Sequence, residues 1–251
     1  MKIGNVILSR ISALHYVKLV GRSALFLLVL GCYIYDRLPS TETAFVDGFL
    51  RRPLILLTIW LVFAFEMFLR FFPDQVESMG CQKQFSCNYR AAVEPRPRPS
   101  DGGATLAAAA SWLALNGTIG ALYFLHVIDR SILILVSLAY SVCDMVCILF
   151  FCPFQTWFLK NKCCVTCRIY NWDYAMMFTP LIFIPSWFTW SLLALALLLL
   201  AKWEYNHARH GEYFYEETND TLRCQNCQEH LCSHKKQLIS FHRKLRQKLL
   251  G

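Results

Sequence analysis

Sulfur is the chemistry this sequence offers, because residues 143–167 hold six of its twelve cysteines: Cys143, Cys147, Cys152, Cys163, Cys164 and Cys167. Thiolates are soft metal ligands and redox nucleophiles. Cys152, Cys163, Cys164 and Cys167 stand among Lys160, Lys162 and Arg168, and neighbouring cations favour the thiolate form. Four such ligands can hold zinc or an iron–sulfur cluster, although their spacing follows neither standard ferredoxin run. The plain alternative is a set of small buried hydrophobes.

The tail repeats the theme in tighter spacing: Cys224, Cys227, Cys232 and His234 lie within eleven residues. A CxxC turn lets two sulfurs grip one ion at ~2.3 Å, and a third thiol with one imidazole completes a tetrahedral Cys₃His set. Zinc is the first expectation there and iron the second. His230 can replace His234. Zinc-knuckle and rubredoxin families use similar CxxC turns, but the remaining spacing fits neither. Reduced surface thiols are the plain reading of the same residues.

Two acids lie inside apolar runs. Glu66 has Arg70 four residues on, at ion-pair spacing for a helix, whereas Asp144, between Cys143 and Cys147, has no such local cation. An ionisable group inside a membrane helix costs roughly 2.5–3.5 kcal/mol and is paired or functional by default.

The elements that must position these groups are membrane helices. The chain is 56% hydrophobic and 17% charged, against about 25% charged in soluble domains. Its net charge of +8 comes with no nucleic-acid motif and suits an anionic lipid leaflet. The fold expected is an all-α integral membrane protein of the cell membrane, a bundle of about five transmembrane helices in residues 1–203. Spans are expected near 19–36, 53–72, 106–128, 131–151 and 176–203, joined by a cysteine-rich interhelix loop. Residues 2–20 have a helical apolar period and no cleavage pattern, so the first segment is expected to stay as an anchor. Residues 73–103, with alternating Pro and Arg, read as a linker carrying Cys81 and Cys87. Residues 204–251 form a Cys/His tail ending in a basic amphipathic helix that suits a membrane surface. The tryptophans near span ends read as an aromatic belt, and Asn219-Asp220-Thr221 is a glycosylation sequon.

Topology is in conflict with itself. Five spans put twelve Lys and Arg residues on the face of the N-terminus, linker and cysteine loop, and six near the spans on the other. The positive-inside rule then makes the first face cytoplasmic. That leaves the tail, with seven more from Arg223 to Lys248, outside. Either Tyr174–Trp203 turns back at its prolines, or the first segment fails to cross. Under every choice the linker and the cysteine loop share a face, and Glu66 and Asp144 lie at nearly one depth.

Three functions follow. The first is a multi-pass membrane protein with zinc or iron sites in the tail and the 152–167 loop, handling metal or electrons with a metal-donor or redox partner protein. The second is a thiol–disulfide oxidoreductase using Cys164/Cys167 and Cys81/Cys87. Its layout resembles the membrane oxidoreductases that couple disulfides to quinones, whose four spans would require the first segment not to cross. The third is a proton- or ion-coupled carrier using Glu66 and Asp144.

Overall fold

The computed structural model describes residues 2–3, 6–7, 9–37, 53–73, 77–91, 102–161, 163–229 and 231–232. His230, His234, the Pro/Arg stretch of the linker and the basic C-terminal segment lie outside the described residues. A two-residue antiparallel pairing of Lys2–Ile3 with Val6–Ile7 precedes the first helix. The helical period of residues 2–20 becomes helix only from Arg10, because the Ser9 hydroxyl caps it by accepting from Ser12 N at 3.1 Å.

Among the described residues seven α-helices follow: α1 (Arg10–Asp36), α2 (Pro53–Leu69), α3 (Met79–Gln82), α4 (Gly102–Phe124), α5 (Arg130–Leu149), α6 (Asp173–Phe178) and α7 (Trp187–Arg209). Among the described residues α1, α4, α5 and α7 are long and apolar enough to cross a membrane, and α2, with 17 residues, is shorter. Pro53 opens α2, where its missing N–H costs nothing. Asp129 caps α5, accepting from Ile132 N at 2.9 Å, and fixes the tight turn from α4.

The helices bury a common core that includes Phe63, Met67, Leu133, Leu138, Tyr174, Phe178, Leu192 and Leu199. Their outward faces carry Leu27, Leu54, Phe65, Leu113 and Leu198 in the open. Apolar surface inside and out is the pattern of a chain whose solvent is hydrocarbon, consistent with a membrane protein.

The segment expected as one kinked span divides at its prolines into a short helix with a 3₁₀ turn and one long helix. From Asp173 the chain runs through α6 and a 3₁₀ turn, Thr179–Phe183, alongside α4. Trp112 Nε1 donates to Thr179 Oγ1 at 3.2 Å near its start, and the Phe183 and Phe124 rings meet at 5.7 Å near its end. Pro180 and Pro185 break helical hydrogen bonding. Ser186 then caps α7, which returns past α2: Trp187 stacks on Trp60, and Trp203 Nε1 reaches Arg168 O at 3.0 Å.

This turn-back sets which parts of the chain meet. The tail arrives where the linker and cysteine loop already are, and Tyr89 and Asn219 form a β-bridge beside Arg90 N donating to Thr218 O at 2.8 Å. Glu229 Oε1 accepts from Ser78 Oγ and Met79 N, each at 2.6 Å, while its backbone oxygen accepts from Ser9 Oγ at 3.2 Å. The start of α1, the linker, the loop and the tail therefore form one cap at one end of the bundle.

Candidate functional site

A cavity of about 140 Å³ lies under this cap between α4, α5, α6 and the cysteine loop. Five cysteines line it: Cys143 and Cys147 from α5, and Cys152, Cys164 and Cys167 from the loop. Met176 and Met177 add two thioethers, Trp112, Tyr140, Phe154 and Tyr170 add rings, and Asp144 and Asp173 add carboxylates. Gln155 adds an amide, and Ile148 and Ile169 complete the wall.

Local chemistry builds the loop that supplies three of these thiols. After Pro153 the chain winds through Phe154–Leu159 in a π-turn and stops at Lys160, which takes a left-handed conformation with φ 50°. Gln155 organises the turn. Its backbone N–H points at Cys152 Sγ at 3.4 Å, its Oε1 accepts from Cys164 Sγ at 2.9 Å, and its Nε2 donates to Asn161 O at 2.9 Å. Cys167 N returns to Cys164 O at 3.0 Å, closing the CxxC turn.

Lys83 pins that turn from the linker side. It is wholly buried, with Nζ 3.0 Å from Val165 O and 2.7 Å from Cys167 O and lying 5.2 Å from the Trp203 ring. Burial lowers its pKa to about 8. Burial likewise pushes the Cys167 thiol up, outweighing the pull of Lys83. Burial, and not the flanking cations invoked from sequence, sets the direction at Cys167.

Both cavity acids are balanced by buried arginines. Arg22 of α1 lies 3.1 Å from Asp144, 2.6 Å from Glu66 and 3.2 Å from the Tyr174 hydroxyl, and donates to Ser141 O at 3.1 Å. Arg70 grips both Asp173 oxygens at 2.7 and 2.6 Å. The expected Glu66–Arg70 pair is therefore replaced by Glu66–Arg22. Glu66 and Asp144 come together and share one guanidinium.

The other expected site residues separate. Cys163 turns away from the cavity, and its Sγ lies 3.5 Å from that of Cys232 in the tail. Cys224 is exposed and Cys227 half-buried. Among the described residues no three His, Cys, Asp or Glu side chains converge as a metal-holding group. Cys81 is fully buried, its thiol pushed well up by that burial, while Cys87 is exposed, so the two are not poised as a shuttle. Asn219 of the sequon is wholly buried, its amide donating to Tyr213 O at 2.8 Å.

Sequence reasoning passed over Arg22, Lys83, Gln155, Met176 and Met177. Arg22 carried a usable signal, since it is the one charge interrupting an apolar first span. Lys83 acts through contacts with a distant segment, which no spacing announces. Compared with known protein families, curated proteins and solved structures, the chain matches none.

Proposed function

We propose that this chain is a multi-pass membrane protein that binds a thiophilic metal ion in the sulfur-lined cavity beneath its cap. The observation that carries the reading is that five cysteines, from α5 and both ends of the loop, line one cavity. Thiolate and thioether donors select zinc, iron in sulfur coordination or copper(I) over hard cations. Asp144 and Asp173 are already balanced by Arg22 and Arg70, so the charge that holds an ion has to come from thiols losing protons as it binds. Gln155 and Lys83 hold the loop thiols in place for that step.

Lys and Arg are concentrated in the linker, loop and tail, which supports a cytoplasmic cap. A cytosolic setting keeps thiols reduced and available as ligands.

The test is elemental analysis of protein purified without chelators and after loading with zinc, ferrous iron or copper(I). About one ion per chain in the wild type, lost from C152S/C164S/C167S, is expected. A wild type that retains no ion after any loading overturns the reading, as does a triple variant with undiminished metal.

A further inference from the structure

We propose that Cys163 and Cys232 form a reversible intrachain disulfide, closed and opened by exchange with a small-molecule disulfide and its thiol, that ties the tail to the cysteine loop. The two sulfurs stand 3.5 Å apart although 69 residues separate them. Closing to the ~2.05 Å of a disulfide requires an approach of about 1.5 Å, within reach of side-chain torsions.

The approach is held by contacts outside the Cys163–Cys232 pair. Glu229 is anchored on Ser78 and Met79 N, and Leu231 packs against Met145, Ile148 and Leu149 of α5. On the loop side Cys163 packs with Val165, Met79 and Leu222. The backbones on both sides are therefore set before either thiol reacts, which is what a dithiol needs for the second step to outrun release. Cys232 is exposed and can be reached by a small disulfide.

The exchange balances as two displacements. The Cys232 thiolate attacks one sulfur of the small disulfide, whose S–S bond breaks and releases one small thiolate. Cys163, giving its proton to solvent, then attacks the Cys232 sulfur of the mixed disulfide, and the second small thiolate leaves. Two protein thiols lose two electrons and two protons, and one small disulfide becomes two thiols. Cys232 is exposed and Cys163 half-buried, which assigns the first attack to Cys232. Because Cys163 directly precedes the cavity residue Cys164, the closed bond fixes the loop at the cavity edge. The latch does not depend on an ion occupying that cavity.

Full-length protein in detergent, fully reduced, is equilibrated with glutathione disulfide and glutathione, quenched with N-ethylmaleimide, digested and read by mass spectrometry. The expected product is a loop peptide cross-linked to the tail peptide, reversed by excess glutathione, abolished in C232S and retained in C224S and C227S. In C163S, Cys232 should accumulate as the glutathione mixed disulfide. The proposal is overturned if the wild type yields no loop–tail cross-link, or if the cross-link survives in C232S. Metal content plays no part in this readout, so its failure and that of the metal reading are separable.

Discussion

Arg22 is the position where a single substitution should do most damage. Its guanidinium sits between Glu66 and Asp144, with the Tyr174 hydroxyl and Ser141 O completing its contacts, and is 2% exposed. Replacing it with glutamine keeps a side chain of comparable polarity but leaves two carboxylates facing each other without a cation. Removing one partner of a buried ion pair costs about 3–5 kcal/mol. At roughly 2–4 °C per kcal/mol for a chain of this size, R22Q should lower Tm by about 6–20 °C. The complementary variant R22Q/E66Q/D144N removes the stranded charges and should regain most of the loss, since neutral side chains of that volume can hydrogen-bond to one another. Thermal unfolding in one detergent, followed by tryptophan fluorescence, measures both. A Tm for R22Q within about 2 °C of wild type, or a triple variant no more stable than R22Q, would refute the reasoning.

Lys83 gives the cap a pH dependence. Its pKa is about 8 folded against 10.5 unperturbed, so between these values the unfolded chain binds the proton that the folded chain does not. Stability relative to K83M should therefore rise with pH across that window, by on the order of 3 kcal/mol at most, measured by denaturant unfolding of both proteins. At Gly120 a methyl group would meet the Phe183 ring, whereas at Gly117 it meets nothing within 4 Å. G120A should cost roughly 1–3 kcal/mol and G117A nothing, by the same unfolding assay. E229A removes the acceptor for Ser78 and Met79 N and should speed tryptic cleavage after Arg223 several-fold. E229Q, which keeps an acceptor there, should not.

What the sequence disclosed followed from short-range rules. Pro53 marked a real helix start, whereas the Asp129–Arg130 turn leads α4 into α5 without laying one along the other: α5 lies along α1, and α4 lies against the Phe154–Leu159 and Thr179–Phe183 turns. The end of α4 falls at Phe124, short of residue 128, because His126 takes a left-handed φ of 59° and breaks the helix. Pro180 and Pro185 were visible, yet apolar content alone could not tell a kinked span from a descending segment that turns back, since both bury the same residues. The candidate site divided along the same line. Cys143, Cys147, Cys152, Cys164 and Cys167 are near in sequence and line one cavity. Cys163 and Cys232 meet only because Glu229 and Leu231 dock the tail, a pairing that neither segment's spacing contains. Glu66 illustrates the limit most plainly: the i,i+4 rule offered Arg70, and a closer cation came from another helix.

The central claim is that sulfur from the 152–167 loop holds an ion at the cap end of the bundle. X-ray absorption on metal-loaded protein tests it directly. A metal–sulfur shell near ~2.3 Å should appear in the wild type and shrink in C164S/C167S, while a shell made only of nitrogen and oxygen, or one unchanged in that variant, would contradict it.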